Sequence, residues 1–146
     1  MVSLEEQPLG NSFEKVFIGN AGTATSGLDI TEVFSTYLYG GSSSGQTITN
    51  GIDLTEGGLV WTKHRNGASQ HALFDTERGV LKGLASSSTS AEANETGSVT
   101  AFNSNGYTLG TWSGVNYNTY TYASWTFRKA PKFFDIVTYT GNGVAG

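Results

Sequence analysis

The amino-acid sequence predicts an all-β fold: an antiparallel β-sandwich of jelly-roll or lectin-like type with an extended N-terminal arm. Three observations carry this expectation. Short stretches alternate apolar and polar residues with a period of two. The breaks between them are built from Gly, Asn and Ser. Only 84–95 offers a candidate helix, and its Ser86-Ser-Ser-Thr-Ser90 core is poor helix filling that reads better as an exposed loop. Short strands joined by turns fit a sandwich or a barrel; their spacing alone does not choose, and the sandwich is preferred.

Composition narrows the class further. The chain has 146 residues, enough for one domain or one domain and a piece of another. Hydrophobic residues make up 37 % and charged residues only 14 %, against about 25 % charged in an average globular chain. With 12 % aromatic residues and a net charge of −4, the chain has the means to fold. A pI near 5.0 and eight Lys and Arg argue against a nucleic-acid partner. No apolar run approaches the ~20 residues of a spanning helix, so membrane insertion is not expected. Acidic residues stand where a signal peptide needs basic ones. Without cysteine there is no disulfide, thiolate nucleophile or Cys-type zinc site, and no metal or other cofactor is expected.

Taken in order, residues 1–31 read as the arm. Phe13, Val16, Phe17 and Ile18 cluster without strand alternation, and a glycine-rich stretch follows at 19–27. Apolar residues that an arm cannot bury itself are expected to anchor it to a partner; the plainer alternative is a short strand completing the domain's own sheet. Strands are expected at 32–39, 46–49, 59–64, 70–75, 97–102 and 106–109. Asn50-Gly51, Asn66-Gly67 and Asn105-Gly106 supply turn signals between them. The strongest strand is 119–128. Its odd positions Ala123, Trp125 and Phe127 form an apolar face, and its even positions Tyr120, Tyr122, Ser124, Thr126 and Arg128 a polar-aromatic one. The expected core is therefore Trp61, Trp125, Phe127, Phe102 and Leu73 with Val60 or Leu59. Pro131 then ends the strand and the 32–130 module.

The sequence also resembles itself. Val33-Phe34, Tyr39 and Gly41 reappear as Phe133-Phe134, Tyr139 and Gly141, 100 residues on. Residues 131–146 thus read as the opening of a further β-rich repeat, cut off here, or as an unrelated strand sharing common aromatics.

Several ordered motifs carry a wider resemblance. They are Gly51-Ile-Asp-Leu54, Gly57-Gly-Leu-Val-Trp-Thr-Lys63, Leu73-Phe-Asp-Thr-Glu-Arg-Gly79, Thr100-Ala-Phe-Asn103, Gly106-Tyr-Thr-Leu-Gly110, Trp125-Thr-Phe-Arg-Lys-Ala-Pro131 and Phe133-Phe-Asp-Ile-Val-Thr-Tyr-Thr-Gly-Asn-Gly143. From about residue 32 to 146 the chain resembles a module of tail-fibre or tail-spike-like virion proteins of phages of marine and cyanobacterial hosts. The resemblance implies a virion structural protein, assembled in the host cytoplasm and held to other tail or capsid proteins. It further implies a homo-oligomer of threefold symmetry. No catalytic residue comes with it. A capsid decoration or head-fibre protein is a further alternative that the composition leaves open.

The chemistry-bearing residues point the same way. Asp75 and Glu77 would be adjacent on one face of a strand, whereas a glycosidase pair must stand across the sugar from each other; Asp75-Thr-Glu-Arg78 reads as a turn in which Arg78 pairs with a carboxylate. No Gly-x-Ser-x-Gly elbow accompanies the many serines. His64 and His71 lack the density of ligands that a metal site shows. No enzyme is expected. A glycan-binding or glycan-cleaving receptor module is the competing class. Trp112, Asn116, Tyr117, Asn118 and Tyr120 are its candidate contacts with host-surface glycan, because aromatic faces stack on sugars while amides read hydroxyls. The plainer alternative is that Trp112 caps one end of the sandwich.

Overall fold

The computed structural model describes residues 27–144; the four arm residues Phe13, Val16, Phe17 and Ile18 lie outside them. Two antiparallel sheets pack face to face, as the period-two pattern predicts. Among the described residues nine strands follow one another: β1 (Phe34–Gly40), β2 (Gln46–Thr49), β3 (Gly58–His64), β4 (Ala72–Asp75), β5 (Lys82–Ala85), β6 (Ala93–Asn94), β7 (Val99–Asn103), β8 (Gly106–Leu109) and β9 (Thr121–Arg128). The larger sheet has the order β1-β9-β3-β4-β5-β6 and the smaller β2-β8-β7. Single helical turns stand at α1 (Ile30–Val33) and α2 (Ser113–Asn116), with a 3₁₀ turn at Leu54–Glu56.

Local chemistry explains the punctuation. Asp29 caps α1 and Asp53 caps the 3₁₀ turn, each accepting a backbone N–H two residues on, from Thr31 and Thr55, at 2.9 Å. The hydroxyl of Thr55 and then its N–H hold the Asp53 carboxyl below its ordinary range. The N–H and then the hydroxyl of Thr31 do the same for Asp29. Both caps are therefore in place at neutral pH and are lost as pH falls through the carboxylate range. Ser104 and Asn105 turn the chain between β7 and β8, with Asn103 paired to Gly106. Gly106 has φ of 129°, and a Cβ there would overlap the Ile48 carbonyl of the neighbouring β2.

The interior corrects the expected core. Val60 is fully buried, and Phe102 is half-buried against the core. Trp61, Trp125, Phe127, Leu73 and Leu59 are only half-buried and lie on the outer face of the larger sheet. On β9 it is Tyr122, Ser124 and Thr126 that face inward, fully buried. The reason is polar satisfaction combined with size. Across from Ser124 and Thr126, both small, the smaller sheet presents Tyr107, Leu109, Ile48 and Val99, so little side-chain volume is left to fill. The buried hydroxyls find partners: Thr126 accepts from the Asn50 amide at 2.8 Å, and Tyr122 donates to the Ser113 carbonyl at 2.8 Å. Tyr39 stacks on Tyr122 with ring centroids 5.1 Å apart.

The sequence predicts no strand at β5 or β6. Lys82-Gly-Leu-Ala85 has no β-branched residue, and its strand form comes from pairing to β4 at Ala72↔Ala85 and Leu73↔Leu84.

Two buried tyrosines give opposite expectations. The Tyr39 hydroxyl donates to the Val115 carbonyl at 2.9 Å. That of Tyr107 is buried without a well-formed hydrogen bond. Tyr39→Phe should cost about 1 kcal/mol, whereas Tyr107→Phe should be neutral or stabilising. Urea midpoints at unchanged m-value measure both.

Candidate functional site

The 112–120 segment leaves β8, makes the single turn α2 and enters β9. Its five candidate residues are drawn in three directions.

Trp112 turns onto the sandwich. Its backbone N–H donates to the Gly97 carbonyl at 2.9 Å, and its half-buried indole meets Phe74 edge-on, centroids 6.1 Å apart. Gly114 makes this possible, because a Cβ there would run into the indole. Trp112 therefore caps one end of the fold while keeping part of its ring open.

Asn116 points inward and is removed from the set of surface contacts. It is fully buried. Its Oδ1 accepts from the Ser42 N–H and the Gln46 amide, each at 2.7 Å, and its amide nitrogen donates to the Ser44 and Gly110 carbonyls. One side chain thus joins the loop after β1, the start of β2 and the end of β8. Its hydrogen-bonding capacity is spent inside the protein, with none left for a ligand.

Tyr117, Asn118 and Tyr120 do reach the surface. Tyr117 and Tyr120 have centroids 5.0 Å apart, and Tyr120 lies flat on the His64 ring at 3.9 Å. Together with Ser69, Ser113 and Gly114, the two tyrosines line an open cleft of about 390 Å³. Asn118 is exposed, tied by its N–H to the Ser43 hydroxyl at 2.9 Å. Aromatic faces flanked by hydroxyls can stack on the face of a polar ring.

Asp75, Glu77, His64 and His71 are all engaged within the fold. Asp75 is buried and forms an ion pair with Arg78 at 2.6 Å, in the turn that the sequence predicts. Glu77 is exposed and meets Lys129 at 3.4 Å. His64 Nδ1 lies 2.9 Å from the Ser69 hydroxyl, and His71 Nδ1 accepts the Trp61 indole N–H at 2.9 Å. Among the described residues no three His, Asp or Glu gather as metal ligands.

Sequence reasoning missed the outer face of the larger sheet. Trp61 and Trp125 face each other across β3 and β9 at 5.5 Å, and Phe34 packs on Phe127 at 4.9 Å. Leu38 is 61 % exposed and Leu84 38 %. The chain after Pro131 crosses part of this face: Phe134 stacks on Phe127 at 5.2 Å, and Asp135 binds Lys129 at 2.9 Å. The Lys129 hydrogen bond, then the Ile136 N–H and the Lys129 charge, hold the Asp135 carboxyl below its ordinary range. The alternation at 123, 125 and 127 reveals an apolar face, but its burial depends on which side meets the second sheet.

Asn116→Ala should cost about 2–4 kcal/mol, since it removes a fully buried amide that bonds the Ser42 N–H and the Ser44 and Gly110 carbonyls, while Asn118→Ala should stay within about 0.5 kcal/mol. Chemical denaturation of the two variants separates the buried amide from the exposed one.

Residues 29–146 match the family model described as a domain of unknown function, DUF7483. No curated protein and no solved structure matches the chain.

Proposed function

The chain belongs to the DUF7483 family, and we propose that it is a non-enzymatic structural module of a phage virion appendage, working as a homo-oligomer. The observation that carries the assembly part is the outer face of the larger sheet. Leu38, Trp61, Trp125 and Leu84 form an apolar surface that the protein's own smaller sheet leaves uncovered. Apolar surface of this kind marks a contact with another chain. The appendage itself, a tail fibre or similar structure, and its threefold symmetry rest on the resemblance of 32–146 to tail-fibre-like modules. Residues 131–146 open a further β-rich repeat in this reading. Phe13, Val16, Phe17 and Ile18 anchor the arm to the particle, burying about 1.5–3 kcal/mol each before ordering costs.

One alternative has an observation of its own. The Tyr117–Tyr120 cleft favours a receptor module that touches host glycan. A capsid-decoration role differs only in location, and labelling the chain on virions distinguishes head from tail.

Light scattering of the full chain should give a mass that is a multiple of the protomer. Leu38→Asp, which alters an exposed position, should return a folded monomer. A monodisperse wild-type monomer at high concentration would overturn the assembly claim. Deleting 1–26 should leave a folded module that no longer enters virions. Release of reducing sugar from host envelope polysaccharide would overturn the non-enzymatic reading.

A further inference from the structure

On the inner side of β4 and β5 the sandwich does not close. The smaller sheet offers three strands against six, and Trp112 covers that flank in place of a strand, its ring meeting Phe74. Beneath it remains a cleft of about 250 Å³, lined by Phe74, Trp112, Gly83, Glu95, Gln70 and Ser90 together with small alanines. Gly83 keeps the floor low. A Cβ there would meet the Glu95 side chain at 3.0 Å and the Phe74 ring at 3.2 Å.

We infer that this cleft binds a single pyranose ring, with the sugar's C–H face on Trp112 and its hydroxyls read by Glu95. Glu95 is half-buried over Gly83, and its backbone N–H is fixed to the Leu81 carbonyl at 2.8 Å. Its carboxylate makes no hydrogen bond or ion pair among the described residues. The neighbouring cations are engaged elsewhere: Arg78 and Lys82 both reach Glu92, at 3.4 and 4.0 Å. No Lys or Arg lines the cleft, and His71 at its rim already holds the Trp61 indole.

An acceptor-only group beside an aromatic wall calls for a ligand that brings donors and an apolar face together. A sugar does both, and a hydroxyl on a carboxylate forms a charge-assisted hydrogen bond. The Gln70 amide and Ser90 hydroxyl make no side-chain hydrogen bonds among the described residues, so both are free to read further hydroxyls. A simple ammonium ion would use the carboxylate and the rings but leave those two idle. The volume lies just below the ~300–1,000 Å³ usual for ligand pockets, which selects one ring over an oligosaccharide. Neither the virion role nor the oligomer enters this inference.

The test is an ¹⁵N-HSQC titration of the full chain with the methyl pyranosides of glucose, galactose and mannose, and with N-acetylglucosamine. At least one should bind in the millimolar range, moving the indole N–H of Trp112 and the amides of Gly83 and Glu95. Glu95→Gln keeps the side chain's shape at a half-buried position and should weaken binding about tenfold. Gly83→Ala, which raises the floor, should do the same, with the dispersion of the spectrum reporting the fold. The inference is overturned if no glycoside binds, if the shifts centre on Tyr117 and Tyr120, or if Glu95→Gln binds as tightly as the wild type. It is also overturned if butylammonium binds as tightly as the best sugar.

Discussion

The fold depends on the burial of Tyr122. β9 lies between β1 and β3 and is paired to both along its length, so its orientation decides the larger sheet. The Tyr122 ring stacks on Tyr39 inside the sandwich. Its hydroxyl accepts the Tyr117 N–H at 2.9 Å and donates to the Ser113 carbonyl at 2.8 Å. Burial raises the pKa of this hydroxyl, which keeps the proton it must donate. One side chain thereby ties both ends of the α2 turn to β9. Because strand residues alternate between faces, placing Tyr122 inside also places Ser124 and Thr126 inside. Trp125 and Phe127 are then left on the outside. The apolar outer face is a consequence of satisfying the inner one.

This explains which parts of the fold were legible in the sequence. β2 and β8 have the expected bounds, Gln46–Thr49 and Gly106–Leu109, because turn residues and period-two patterning agree there. The pattern of β9 was also plain, but its polarity was not. Ser, Thr and Tyr hydroxyls count as polar in sequence, yet they bury readily where a carbonyl or amide waits for them, and those partners lie 76 or 87 residues away or across a loop. Ser124, for instance, faces the Tyr37 carbonyl at 3.4 Å. β5 carries too little intrinsic strand preference to be seen without β4 beside it.

The candidate site was legible only in part. Trp112, Asn116, Tyr117, Asn118 and Tyr120 form one continuous segment, and aromatic and amide side chains in a loop suggest one surface. A single helical turn advances ~100° per residue, so it scatters neighbouring side chains around its axis. Hence Asn116 enters the interior while Tyr117 remains 42 % exposed. Glu95 and Gly83 gave no signal of their own. A lone acid after a serine-rich loop looks like a solvated charge until β5 and β6 pair and bring it over the glycine.

Unequal sheets connect the two surfaces that this chain offers. A six-stranded sheet facing a three-stranded one must leave inner area without a strand above it. Trp112, Ala72, Ala85 and Gly83 meet that need with one large ring over small residues, which leaves a cleft where a filled core would otherwise be. On the same strand, Phe74 faces the cleft and Leu73, its neighbour, faces outward opposite Trp61. Adjacent strand residues point to opposite sides, so a partner lying on Leu38, Trp61 and Trp125 does not reach the cleft floor at Phe74 and Gly83, while Leu84 borders both surfaces. The proposed assembly through Trp61, Trp125 and Leu38 would therefore leave the proposed ligand site at Trp112 and Glu95 open. Each copy in an oligomer would present its own cleft, and repeated weak sites on one assembly gain avidity without any change in the single-site affinity.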